Sequence, residues 1–160
     1  MRVIVISDTH GNYSALEKVF MKNTDADWMI HLGDGEREVD RFVMSHPELS
    51  QKIIHVAGNC DFNSLSPDYF VLPVGEHNIL ATHGHLYGVH SSRERLKMLA
   101  RANKCDIILF GHTHERFESN EDGFRIMNPG SASCPRDGRP PSFGLIDISP
   151  AGVVLNIVSI

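Results

Sequence analysis

The chain has no excess of positive charge. Fifteen Lys and Arg face twenty Asp and Glu, a formal net charge of -5, so no basic surface advertises binding to a nucleic-acid backbone. Cysteine is scarce as well. Cys60, Cys105 and Cys134 are odd in number and lack CxxC spacing, which argues against a disulfide framework and for a reducing compartment. Long apolar runs are missing: none approaches the roughly 20 residues of a membrane-spanning helix. The first apolar stretch, Val3 to Ile6, meets Asp8 too early for a signal-peptide core. The expected address is therefore the cytoplasm, with no membrane partner. No repeat, linker or low-complexity segment interrupts the chain. A hydrophobic content of 41% and a charged content of 22% are ordinary for a globular core, and residues 1–160 fit one domain.

Histidine is plentiful, at ten residues, and its placement is not random. Apolar runs stop at a Gly with His, Asp or Asn beside it: Val3–Ile6 before Asp8-Thr9-His10-Gly11-Asn12, Trp28–Leu32 before Gly33-Asp34, and Ile53–Ala57 before Gly58-Asn59-Cys60-Asp61. Ile79–Thr82 stops before His83-Gly84-His85, and Ile107–Phe110 before Gly111-His112-Thr113-His114. Short β-branched runs are buried strands, and the carboxyl ends of such strands are where open α/β sheets build their sites.

Between the runs, Ser14 to about Met21 predicts a helix with Ser14 as N-cap and Glu17 completing a capping box. Glu36 to about Met44 predicts a charged amphipathic helix stopped near Pro47. Ser91 to about Asn103 predicts a third, capped by Ser91 or Ser92. Tyr69–Pro73 and Asn78–Thr82 predict a hairpin. Asp122-Gly123 predicts another between Arg116–Ser119 and Phe124–Met127. Asn128-Pro129-Gly130-Ser131 is expected to turn. A last hairpin joins Phe143–Ile148 to Val153–Val158. The strand–helix alternation of the first half and the hairpins of the second predict an α/β (α+β) chain with paired mixed sheets and helices outside.

Asp8, His10, Asp34, Asn59, His83, His112 and His114 together exceed the four ligands of a closed zinc site. They suit two adjacent divalent ions sharing the Asp34 carboxylate. Such pairs lie roughly 3.5–4 Å apart, clamp both oxygens of an in-line displacement and bring the pKa of water down to about 7. Oxygen and imidazole donors without thiolate favour Mn, Fe, Co, Ni or Zn.

In this order, Asp8-x-His10, Gly33-Asp34, Gly58-Asn59-Cys60-Asp61, Thr82-His83-Gly84-His85 and Gly111-His112-Thr113-His114 resemble the motifs of the calcineurin-like metallophosphoesterases. With Asn128-Pro129-Gly130-Ser131 and Pro135-Arg136, the chain is similar to their small YfcE-type phosphodiesterase branch over nearly its whole length. The resemblance implies a four-layer αββα sandwich of two mixed β-sheets flanked by helices. It implies one ion on Asp8, His10, Asp34 and His114, and a second on Asp34, Asn59, His83 and His112. It implies hydrolysis of a small phosphodiester, with manganese the expected ion and Ni, Zn, Fe, Co or Mg as alternatives. Relatives often form homo-oligomers. The same fold also serves as a scaffold in a eukaryotic retromer subunit, and a phosphomonoesterase would share the site.

One position departs from the pattern. Many members carry a histidine, taken to protonate the leaving group or steady the phosphate, where this chain has Cys60; the catalytic candidates here are His83, Asn59 and Asp61, or a water in place of the missing acid. Asp61 is expected to orient His10 or a water, to supply the proton, or to be a turn residue only. His85 is expected to be a loop histidine or a phosphate contact, and Asn12 a phosphate contact or a helix cap. Arg136 is expected to be a solvated loop charge. His31, His46, His55, His77 and His90 are expected to be surface or structural residues.

Overall fold

The computed structural model describes residues 1–160. The elements are β1 (Arg2–Ile6), α1 (Tyr13–Met21), β2 (Trp28–His31), α2 (Glu36–Ser45), β3 (Ile53–His55), β4 (Tyr69–Val74), β5 (His77–Thr82), α3 (Glu94–Ala102), β6 (Ile107–Leu109), β7 (Arg116–Glu121), β8 (Phe124–Pro129), β9 (Ser142–Ser149) and β10 (Gly152–Ser159). Ten strands form two five-stranded sheets, ordered β10-β9-β1-β2-β3 and β4-β5-β6-β8-β7. Within the first, β1, β2 and β3 are parallel, with β9 antiparallel to β1. Within the second, β5, β6 and β8 are parallel and the edges β4 and β7 antiparallel. Both sheets are mixed, as expected.

The period of two along β1 explains the layering. Val3 and Val5 face the core between the sheets, with Leu72, Val74, Ile79, Ile107 and Met127 opposite. Ile4 and Ile6 face outward onto Leu16 and Phe20 of α1 and Phe42 of α2. On the far side, Leu80, Ile108 and Ile126 pack under Leu96 and Ala100 of α3. Strands buried on both faces have no polar alternation. This is why the runs appear as unbroken apolar stretches, and the result is the αββα sandwich.

Several boundaries moved, three of them beside the site or its helices. Asn12, not Ser14, caps α1: its Oδ1 accepts from the Ala15 N–H at 3.1 Å. Asn12 is thus a helix cap. The third helix starts at Glu94, because the Ser91 and Ser92 N–H groups close a turn onto the Gly88 carbonyl. Asn128-Pro129 is the end of β8 rather than a turn, paired with Phe117 and Arg116. The hairpin turns at Gly75 and at Asp122-Gly123 lie where the sequence put them, each with positive φ.

Because β1, β2 and β3 run parallel, their following loops emerge at one edge. The loops after β5 and β6 meet them there: Asp8 N–H donates to the Gly33 carbonyl at 3.1 Å, and Gly111 N–H to the His83 carbonyl at 3.0 Å. The β8–β9 loop closes the group, with Ala132 N–H on the Ser7 carbonyl at 3.0 Å.

Candidate metal centre

The loops that follow the strands are not relaxed. Asp8, His10, Asp34, His112 and His114 all have positive φ, between 43° and 69°, where only Asp, Asn, His and Gly are found with any frequency. Such strain persists where surrounding bonds over-determine the backbone. Those bonds are present: His10 N–H donates to the Asp34 carbonyl at 3.0 Å, and Ser131 Oγ donates to the Asp8 carbonyl at 2.8 Å. Glycine is required where the loops touch. A Cβ on Gly58 would meet Asp34 Oδ1, and one on Gly111 would meet Ser7 Oγ and come within 2.9 Å of Asp8 Oδ2.

The side chains converge. Donor atoms of Asp8, His10 and His114 lie mutually within 4.8 Å, as do those of Asp8, Asp34 and His83, and those of His10, Asp34 and Cys60. Asp34 Oδ2 is 3.7 Å from His10 Nε2 and 3.5 Å from His83 Nε2. His10 Nε2 is 3.1 Å from His114 Nε2. Asn59 Oδ1 is 3.1 Å from His83 Nε2. His112 stands beside this group with its ring 5.1 Å from that of His83 and its N–H donating to Asp8 Oδ2 at 3.2 Å. Ligand atoms on one ion with bonds of about 2.1 Å sit roughly 3.0–3.4 Å apart, close to these separations.

The hydrogen-bond pattern fits a cation. His83 Nδ1 donates to the Leu32 carbonyl at 2.7 Å and His114 Nδ1 to the Cys134 carbonyl at 2.8 Å. Each bond fixes the tautomer and leaves the Nε2 lone pair facing inward, as in imidazoles that ligate metals. His114 Nε2 faces Asp8 Oδ1 at 3.1 Å, and that oxygen is buried with no hydrogen-bond partner. Two acceptors opposed in a dry site require a positive charge between them. The hydrogen bond to Asp8 raises the His114 pKa against the lowering effect of burial. Burial pushes the Asp8 carboxyl up, but His114, His83 and Ser7 outweigh it and hold it below the ordinary carboxylate value. Burial and then the neighbouring His83 and His90 push His112 down to about 4, so its imidazole is neutral at neutral pH.

Of the roles expected for Asp61, its hydrogen bonds are those of a turn residue, with none to His10. Oδ2 accepts from the Asp34 and Gly58 N–H groups at 2.8 and 2.9 Å, and Oδ1 from those of Gly35 and Glu36, both at 2.9 Å. Burial raises its pKa, but His55 and the N–H groups of Glu36, Gly58 and Asp34 hold it well below the carboxylate range. An ionised, fully engaged carboxylate is a clamp on the turn that aims Asp34. Cys60 is exposed, and burial of its thiol together with nearby Asp34 raises its pKa to about 11.

Other residues support the site. Of the two expectations for His31, surface or structural, the structural one holds, and the ring is fully buried. Its Nδ1 accepts from the Gly33 N–H at 3.1 Å, so Nε2 carries the proton and donates to Thr9 Oγ1 at 3.1 Å. Thr9 in turn donates to Glu38 Oε1 at 3.0 Å, which also accepts from the Gly11 N–H. Asn128 is buried and donates to the Gly111 carbonyl and Thr113 Oγ1 at 2.8 and 3.0 Å, holding the His112–His114 loop. His90 lies 4.9 Å from the His112 ring and His85 5.3 Å from that of His83. A histidine inside the apolar run of β2 was the one signal in the sequence for the first of these networks.

A family model for the calcineurin-like phosphoesterase superfamily domain matches residues 1–151. The chain belongs to that superfamily. Among its members, the probable metallophosphoesterase YsnB of Bacillus subtilis (strain 168) is 35% identical over 149 residues, 92% of this chain and 85% of its own length. The phosphodiesterase YfcE of Escherichia coli (strain K12) is 30% identical over 169 aligned residues, covering 92% of this chain and 88% of its own. A predicted phosphoesterase from Streptococcus pneumoniae TIGR4 superposes with a TM-score of 0.85 at 29% identity, over 99% of this chain and 88% of that one. A single mutant of Vps29 from Entamoeba histolytica superposes at 0.73 with 25% identity, over 100% and 99% of the two chains. This calcineurin-like phosphoesterase therefore has metallophosphoesterase relatives, the metallophosphoesterase fold and clustered side chains that could hold a metal.

Proposed function

We propose that the protein is a phosphodiesterase whose single domain holds two divalent cations, manganese first among them. The observation that carries this is the position of the Asp34 carboxylate, one oxygen of which, Oδ2, lies 3.7 Å from His10 Nε2 and 3.5 Å from His83 Nε2. Asp8, His10, Asp34 and His114 would hold one ion; Asp34, Asn59, His83 and His112 would hold the other. When bound, such a pair supplies Lewis-acid charge to the phosphoryl group and an activated water at neutral pH.

The chain's own groups supply position. The backbone carbonyls of Leu32 and Cys134 fix the His83 and His114 tautomers. Asp61 holds the Asp34 turn, and His31, Thr9 and Glu38 hold the Asp8–Gly11 turn. Neither Asp61, held ionised, nor Cys60, with a thiol near 11, is suited to protonate a leaving group at neutral pH. The site is therefore matched to small diesters whose leaving group needs little help. Three unpaired cysteines accord with a reducing, cytoplasmic setting, and no helix is long and apolar enough to cross a membrane. A scaffold of the same fold would have no need of the full donor set.

The test is turnover of bis(p-nitrophenyl) phosphate with added Mn²⁺, compared with the matching monoester. Loss of one group that stabilises the transition state costs about 10²–10³ in rate, so His83→Ala and Asp34→Asn are expected to fall by at least that much. Wild-type turnover no higher than theirs, or a preference for the monoester, defeats the proposal.

A further inference from the structure

An open cavity of about 400 Å³ begins at His10 and Asp34 and runs outward past Cys60 to Phe62 and Arg37. Most carboxylates on its walls are already engaged. Asp61 is bonded by backbone N–H groups, Glu38 by Thr9 and Gly11, and Glu36 Oε1 by the Ser64 and Ser66 hydroxyls at 2.8 and 3.1 Å. Two side chains have nothing inside the protein to do. Phe62 is 83% exposed, and the exposed Arg37 has no ion-pair or hydrogen-bond partner for its guanidinium. A single exposed apolar side chain is ordinary on a surface. Phe62, however, stands on the wall of the cavity that opens from the metal-ligand cluster, and it directly follows the clamped Asp61, so its backbone is anchored.

We propose that Phe62 and Arg37 form a subsite for a planar aromatic group on the substrate, a nucleobase being the class that fits. A flat ring stacks on Phe62, and the guanidinium, the one permanently cationic side chain on these walls, faces acceptor atoms on the ring edge or sugar. The volume is that of a small-ligand site. An aliphatic diester would leave both groups idle. The inference rests on the phosphodiesterase reading and narrows it to diesters of nucleosides.

Binding separates the two. Calorimetry on the Mn²⁺-loaded protein compares adenosine 5′-monophosphate with glycerol 3-phosphate, which share the phosphate but not the base. Stacking of one base predicts that Phe62→Ala weakens the nucleotide about tenfold and leaves glycerol phosphate nearly unchanged. Phe62→Trp should restore the difference, and Arg37→Gln should lower nucleotide binding alone. Equal loss on both ligands, or a wild-type protein that does not distinguish them, overturns the subsite. Base-dependent binding without diester turnover supports the subsite and refutes the phosphodiesterase reading; turnover without base-dependent binding does the reverse.

Discussion

His31 shows how much a single buried ring can determine. It has no ligand to bind, yet its two nitrogens tie the Gly33 N–H to Thr9, and so the turn of Asp34 to the turn of His10. Burial and the neighbouring His55 push its pKa down to about 3, so it is neutral in the folded protein. The unfolded chain takes up a proton at this residue near pH 6.5, whereas the folded one does not until about pH 3. The protein therefore loses stability as pH falls through that window, by up to about 2 kcal/mol between pH 7 and pH 5. Urea unfolding of the metal-free protein should show a shallower loss over that range in His31→Gln. A slope equal to wild type would mean that the ring is not held neutral. Asp61 acts by the opposite chemistry, as an anion that accepts from four N–H groups. Asp61→Asn places an amide donor against them and is expected to cost about 2–3 kcal/mol. It should also weaken metal uptake although residue 61 is no ligand; unchanged metal affinity would show that the clamp is unimportant.

At the scale of the element, the strand ends were legible because a run that stops at Gly-Asp or Gly-His carries both a period and a punctuation. The parallel pairings followed from strand–helix alternation, and the hairpins from Asp122-Gly123 and from the closely spaced runs Tyr69–Pro73 and Asn78–Thr82. What the sequence hid was competition between equivalent groups. Asn12 and Ser14 can both cap α1, and only the path of the Thr9–Asn12 turn selects Asn12. Asn12→Ala should therefore cost about 1 kcal/mol and Ser14→Ala much less, as measured by chemical denaturation. The roles of Asp61, His31 and Asn128 were hidden for another reason: besides near neighbours, each bonds groups far along the chain, Asp61 the N–H groups of residues 34 to 36, His31 the Thr9 hydroxyl 22 residues away and Asn128 the Gly111 carbonyl 17 residues away, and no local pattern encodes these. Glycine sets the spacing between loops. Gly58→Ala drives a Cβ into Asp34 and is expected to abolish ion binding in a protein that still folds, judged by circular dichroism beside a metal titration.

Across the whole molecule, two packed sheets are tied at one edge by a site that prefers to be charged. The donors carry net negative charge, and a cation that binds only the folded form stabilises it by mass action. At a hundredfold excess over its dissociation constant this amounts to about 2.7 kcal/mol. Adding Mn²⁺ should accordingly raise the melting temperature of the wild type and leave that of Asp34→Asn almost where it was. The measurement that goes most directly to the central claim is a Mn²⁺ titration of the metal-free protein followed by electron paramagnetic resonance. The account predicts two ions per chain, magnetically coupled through Asp34, and loss of the coupling in Asp34→Asn. One ion or none in the wild type, or two uncoupled ions indifferent to Asp34, would contradict it.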